Sequence, residues 1–176
     1  MRAVRHMKES GDIYLATTTL WIAFGVIGAA VIARGVKISE FRQAWIDGLR
    51  LDISEYINKA HEWIDMYLDF NSEADQEKKA QMKPDLDRLK YNSLHIHSRI
   101  SLRFKPDDKD GDLLLNELLS LLDPSKLSPD NQYSSWRDLS DKAVYSTRVL
   151  LKEEWETTKN PLRGLFNFIK GLRKHA

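Results

Sequence analysis

The chain has 176 residues, with 27 basic and 26 acidic side chains, five histidines and no cysteine. Because the formal charge is nearly zero, bulk attraction to DNA is not expected, and any anion site must be a local patch. The lack of cysteine excludes thiolate catalysis, cysteine metal sites and disulfides, and it is compatible with a reducing compartment.

Residues 13–33 form an uncharged run of 21 residues between Asp12 and Arg34. At about 1.5 Å per residue, a helix of this length covers roughly 31 Å, enough to cross a hydrocarbon core of about 30 Å. The alternative is a signal peptide, whose apolar core is only about 7–15 residues long. We therefore predict an N-terminal tail at 1–12 and a transmembrane helix at 13–33, followed by a helical domain at 34–176.

The charges that flank this run indicate its orientation only by a small margin. The C-terminal side has the larger excess of basic residues, so the positive-inside rule places the domain that follows in the cytoplasm. We predict a single-pass protein of the inner (cytoplasmic) membrane, with the lipid bilayer as its first partner. The basic residues compared are Arg2, Arg5 and Lys8 on one side and Arg34, Lys37, Arg42 and Arg50 on the other.

Small residues recur within the apolar run at every fourth position. Gly25, Ala29 and Ala33 therefore share one helix face, and small residues allow the backbones of two membrane helices to approach closely. This face predicts a homo-oligomer. The alternative is that glycine and alanine are simply common in membrane helices.

The remaining sequence predicts an all-α domain of about four to five helices. Apolar residues three or four apart run from Ile38 through Phe41 to Phe70 and predict a long, partly buried helix. Residues 73–83 predict a solvated helix or a connector, and Pro84 is predicted to start a new element. Segment 94–104 alternates apolar and polar residues, so a strand is the alternative to the helix that we favour there.

Three further segments complete the predicted domain. Residues 106–117 resemble a calcium-binding loop, but Pro106 occupies the first ligand position, so we expect a helix start instead. A buried leucine-rich helix follows, and a loop at 123–135 leads to a helix at about 135–159. The segment 162–174 predicts a basic amphipathic helix, which either lies on an anionic membrane surface or packs on the bundle. Its membrane-surface residues would be Arg163, Phe166, Lys170, Arg173 and Lys174.

No catalytic motif is recognisable in the sequence. We therefore expect a binding protein rather than an enzyme, with no cofactor and no metal site. Arginine or lysine close to tryptophan can bind phosphate and stack on a ring. Three groups of basic residues are candidate ligand-binding sites for an anion. They are Arg42 and Arg50 with Trp45; His95, His97, Arg99 and Arg103; and Lys152 with Trp155.

Two segments carry a resemblance to known proteins. FRQAWIDGLR at 41–50 directly follows the apolar run, and LLKEEWETTK lies at 150–159. Together they are similar to small single-span bacterial membrane proteins with a helical cytosolic domain. The layout also resembles the membrane-anchored effectors of type III CRISPR immunity. That resemblance implies an oligomeric antiviral-defence effector that binds cyclic oligoadenylate, a cyclic nucleotide ligand. The alternative function is a non-catalytic anchor or scaffold that recruits a protein partner.

Overall fold

The computed structural model describes the backbone of residues 2–159 and the side chains of residues 19–156. Within that range the regular structure is helical, and the all-α prediction is confirmed there. The elements are α1 (Arg2–Ser72), α2 (Gln76–Ser101), α3 (Lys109–Ser120) and α4 (Gln132–Lys159), with one 3₁₀ turn at Pro124–Lys126. Segment 94–104 is helical as far as Ser101, so the strand alternative is excluded. The predicted helix 162–174 lies outside the described residues.

The first helix contains both the predicted span and the amphipathic helix predicted after it. α1 contains both the apolar run 13–33 and the amphipathic stretch that begins at Ile38, without a break at Gly35. It ends at Ser72, directly after the predicted limit at Phe70. Most residues of this helix prefer the helical conformation, and no proline interrupts it.

Pro84 does not start an element, contrary to the prediction. α2 begins eight residues earlier at Gln76, where the side chain of Asp75 accepts a hydrogen bond from the backbone N–H of Glu77 at 2.9 Å. This N-cap sets the helix start. An interior proline removes one backbone donor, but Pro84 is exposed, so the carbonyl left without that partner can bond to water.

The start of α3 confirms the helix-start interpretation of residues 106–117. The side chain of Asp108 accepts a hydrogen bond from the backbone N–H of Gly111 at 3.1 Å, and Asp110 and Asp112 lie in the first turn. Acidic groups are favoured there by the partial positive charge of the helix terminus. The positive φ of 66° at Asp107 turns the chain into this helix.

The described chain divides into two units. One contains the part of α1 up to Phe41, and the other is Arg42–Asn160. In the first unit, α1 is long and apolar enough to cross a membrane, judged by length and composition, and none of its apolar window is buried. Its large side chains are exposed, for example Trp21 at 73% and Ile32 at 70%.

The second unit has a continuous apolar core built from all four helices. Trp63, Tyr56 and Leu49 of α1 are completely or almost completely buried. α3 packs against both α2 and α4. Two residues of the apolar face predicted for α1 are exposed rather than buried: Ile38 is 45% and Phe41 73% exposed. The other core residues are Ile46, Ile53, Ala60, Ile64, Leu86, Ile96, Ile100, Leu114, Leu118, Leu121, Leu122, Leu127, Trp136, Ala143 and Leu151.

Candidate anion-binding groove

A groove between α1 and α4 brings together basic residues that are about 100 positions apart in the sequence. Its volume is about 650 Å³, within the range of small-molecule sites. Arg50 lies on its α1 wall, and Arg148 and Lys152 lie on its α4 wall. The full lining is Gln43, Ile46, Arg50, Arg148, Leu151, Lys152 and Trp155.

Helix geometry explains the α4 wall of this groove. Arg148, Lys152 and Trp155 are four and three residues apart, so they point to the same side of α4. Leu151, which is 7% exposed, anchors the same stretch in the core. Trp155 is 39% exposed and presents part of its indole ring to the groove.

The groove has a local excess of positive charge. The side chains of Arg148 and Lys152 make no hydrogen bond or ion pair with any residue in the described part of the chain. Like charges four residues apart destabilise a helix by about 0.2–0.5 kcal/mol. Arg50 faces them from α1 and is paired with Asp47 at 3.0 Å, but both side chains are more than half exposed. A bound anion would relieve this repulsion.

In the structure, the residues of the three predicted sites are grouped differently from the prediction. Arg50 from the first and Lys152 with Trp155 from the third line one groove. Arg148 completes it and was missed, although its spacing of four residues from Lys152 is visible in the sequence. The grouping itself could not be predicted, because it requires knowledge of how α1 and α4 pack.

Arg42 and Trp45 line a different pocket of about 330 Å³. Its walls carry opposite charges: Lys105 and Arg103 join Arg42, whereas four carboxylates come from the N-cap and first turn of α3 and from α4. The Trp45 ring packs edge-on against Phe104, with the ring centroids 6.0 Å apart. Its Nε1 donates a hydrogen bond to the Arg103 carbonyl oxygen at 3.1 Å. The carboxylates are Asp108, Asp110, Glu153 and Glu154. This mixture makes the pocket less suitable for a polyanion than the groove.

Arg99 and Arg103 are occupied by an internal ion-pair network. Asp52, whose side chain is only 6% exposed, forms an ion pair with Arg99, whose Nε lies 2.8 Å from Oδ1, and its Oδ2 accepts a hydrogen bond from Arg103 Nε at 2.5 Å. Arg99 also pairs with Glu55. These neighbours, Glu55 first, raise the pKa of the Arg99 guanidinium. Both arginines therefore already have carboxylate partners, which reduces the charge that they offer to a ligand.

The two histidines of this group point to different surroundings. His95 is exposed, whereas the Nε2 atom of His97 lies 3.1 Å from the carbonyl oxygen of Leu115. They lie two residues apart on α2 and therefore on different sides of it. Within the described residues, no cluster of three or more histidine, cysteine or acidic side chains could hold a metal ion.

The predicted oligomerisation face is open along the described part of α1. A β-carbon added to Gly25 would meet no atom within 4 Å, and Ala29 and Ala33 are exposed. The predicted membrane-surface residues, from Arg163 to Lys174, lie outside the described residues.

Comparisons with known proteins returned no family assignment: no protein-family model, no curated protein and no solved structure matches the chain.

Proposed function

We propose that the chain is a membrane-anchored, oligomeric effector of bacterial antiviral defence whose helical domain binds a small anionic ligand. The observation that carries this proposal is the groove lined by Arg50, Arg148, Lys152 and Trp155. Three cations beside an indole ring match a ligand with phosphate groups and a flat ring. The sequence resemblance makes cyclic oligoadenylate the first ligand to test.

In this proposal, residues 13–33 cross the inner membrane and the domain from Arg34 onward lies in the cytoplasm. The exposed apolar surface of α1 around Trp21 and Ile32 supports a lipid environment, because water would leave that surface unfavourably hydrated. The face of Gly25, Ala29 and Ala33 would assemble the spans. Ligand binding can act on the membrane only if it favours one arrangement of the assembly over another.

The proposal is tested with the full chain in lipid nanodiscs. Isothermal titration calorimetry with cyclic tetraadenylate and cyclic hexaadenylate should show binding that weakens as salt concentration rises, because ion pairs are screened. Arg148→Ala and Lys152→Ala should each weaken binding by about tenfold or more, the order expected for a lost hydrogen bond to a charged group.

Arg137→Ala is the matched control for these variants. Arg137 lies on the same helix, is exposed and is absent from the groove lining. Its substitution removes the same charge and should leave the dissociation constant unchanged. Equal losses of affinity in all three variants would show that the effect comes from the net charge of the chain and not from the groove. The absence of heat with both cyclic ligands and with inorganic pyrophosphate would exclude an anion-binding groove.

A second candidate function is a scaffold that recruits a protein partner. It is favoured by a small apolar surface between α3 and α4, where Leu113 is 57%, Tyr145 67% and Val149 40% exposed. Such surfaces are typical of protein contacts. In this case Tyr145→Asp should abolish copurification of a defined partner with the full chain, and Arg148→Ala should not affect it.

A further inference from the structure

The carboxylate of Asp47 holds the two polar α1 side chains that line the basic groove. It accepts a hydrogen bond from Gln43 Nε2 at 3.1 Å through Oδ2 and from Arg50 Nη1 at 3.0 Å through Oδ1. Gln43 and Arg50 line the groove, whereas Asp47 itself does not. A ligand that contacts Arg50 must therefore compete with a carboxylate that is already in place.

Among the described residues, the opposite wall has no acidic side chain that pairs with its cations as Asp47 pairs with Arg50. Arg148 and Lys152 make no ion pair within the described residues, although Glu153 and Glu154 are close to them in sequence. The two walls of the groove thus differ. The α4 wall offers two positive charges directly, and the α1 wall offers one that is partly neutralised.

We propose that Asp47 is a specificity-determining residue that limits how much negative charge the groove accepts. This inference rests on the proposed function of the groove. In the native chain, the two cations of α4 make the direct contacts with a bound anion, and the Asp47 carboxylate partly neutralises Arg50. Without the Asp47 carboxylate, Arg50 becomes a third contact, and the groove prefers a more highly charged anion.

The expected size of the change in affinity follows from the solvent exposure of the ion pair between Arg50 and Asp47. The side chains of Arg50 and Asp47 are 63% and 54% exposed, so water already weakens their attraction. Releasing Arg50 should therefore strengthen binding by about threefold to fivefold, the upper part of the range for exposed ion pairs. The gain should be larger for tripolyphosphate than for pyrophosphate, because the longer anion carries more charge and extends further toward Arg50 while it contacts α4.

The test is isothermal titration calorimetry of the full chain in nanodiscs with pyrophosphate and with tripolyphosphate. Asp47→Asn should tighten tripolyphosphate binding more than pyrophosphate binding, and it should steepen the salt dependence of the affinity. The double variant Asp47→Asn, Arg50→Ala should bind like Arg50→Ala alone. Asp141→Asn is the matched control, since Asp141 is an exposed acid of α4 outside the groove lining.

The outcomes separate this inference from the proposed function. If the native chain binds both anions and Asp47→Asn changes neither affinity, the role of Asp47 is wrong and the groove stands. A gain that persists in the Arg50→Ala background, or that Asp141→Asn reproduces, also contradicts the role of Asp47. If neither the native chain nor Asp47→Asn binds either anion, the groove and the role of Asp47 are both rejected.

Discussion

A β-carbon added to Gly48 would lie 2.7 Å from Nη1 and 2.9 Å from Nη2 of Arg103. The guanidinium group therefore occupies the space that a side chain at position 48 would need. Arg103 is held there by Asp52, whose Oδ2 atom lies 2.5 Å from its Nε. Gly48 lets α1 accept at close range the arginine that follows the end of α2, so the absence of a side chain at position 48 is part of the ion-pair site.

This contact predicts that Gly48→Ala destabilises the fold. Alanine is normally favoured over glycine within a helix by about 0.5–1 kcal/mol. Here the new methyl group must displace a guanidinium that is tied to a buried carboxylate, so we expect a net loss of about 1 kcal/mol. The free energy of unfolding can be measured by urea titration of the full chain in detergent micelles, with near-ultraviolet circular dichroism as the signal.

The control for this prediction is the same substitution in an Arg103→Met background. Without the guanidinium group, Gly48→Ala should become stabilising by about 0.5–1 kcal/mol, because only the helix preference remains. A loss of stability in both backgrounds would show that the contact with Arg103 is not the cause.

Asp52 is predicted to contribute more to stability than its neighbour Glu55. Asp52→Asn leaves two arginines facing a neutral amide in a site where the carboxylate was 6% exposed. Breaking a buried pair costs about 3–5 kcal/mol. The arginine side chains are 41% and 28% exposed and can be partly hydrated, so we expect about 2–3 kcal/mol.

Glu55→Gln is the matched control because it removes a carboxylate that contacts the same Arg99. Its side chain is 46% exposed, so the loss should stay below about 1 kcal/mol. Equal effects of the two substitutions, measured by the same urea titration, would contradict the dominant role of the buried carboxylate.

The apolar core of α1 could largely be predicted from the sequence, whereas the ion-pair network could not. The spacing of Leu49, Tyr56 and Trp63 indicates one helix face, and that face is buried. Periodicity does not show which residue lies opposite. Asp52 and its partner Arg103 are 51 positions apart, and their meeting depends on how α2 packs on α1. Because the fold pairs Arg99 and Arg103 with carboxylates, they offer less charge to a ligand than the sequence alone suggests.

The groove was predicted in parts for the same reason. Local spacing identified Lys152 with Trp155, and Arg50 was proposed separately. Only the packing of α4 on α1 shows that they share a site with Arg148.

Pro84 shows a different reason why a local pattern can mispredict a helix start. The local preference of proline for a helix start is outweighed by the N-cap at Asp75, which begins α2 earlier.

Because the hydroxyl of Tyr56 is buried, we expect the folded chain to lose stability in alkaline solution. This hydroxyl donates a hydrogen bond to the carbonyl oxygen of Leu118 at 2.7 Å, and the Tyr56 side chain is completely buried. Burial raises the pKa of this hydroxyl well above its ordinary value of 10.0. Below pH 10.0, both the folded and the unfolded chain keep the proton on Tyr56. Above it the unfolded chain releases the proton and the folded chain does not, so folding becomes less favourable by up to about 1.4 kcal/mol per pH unit.

Tyr56→Phe provides the comparison. It removes one hydrogen bond, so we expect it to cost about 1 kcal/mol near neutral pH. It also removes the titrating group, so the difference in unfolding free energy from the native chain should shrink as the pH rises beyond about 10. A constant difference between the two proteins from about pH 8 to pH 11 would mean that Tyr56 does not cause the alkaline loss.

The final prediction concerns the small-residue face of α1. Gly25→Leu and Ala29→Leu each add a large side chain to this face. A β-carbon added at Gly25 has no atom within 4 Å apart from its chain neighbours and the helix's own backbone, so the folded chain itself has room for the first change. If two copies associate through this face, the added volume keeps their backbones apart and should shift the protein toward the monomer. Chemical crosslinking in nanodiscs and light scattering in micelles measure this directly.

Ala23→Leu is the matched control, because it makes the same change in volume and hydrophobicity as Ala29→Leu on nearly the opposite side of the helix from Gly25. It should leave the oligomer unchanged. A native chain that is monomeric under both conditions, or an oligomer that tolerates all three substitutions, would contradict association through this face. The first unit would then act as an anchor, and any effect of a ligand in the groove would have to act through a single chain.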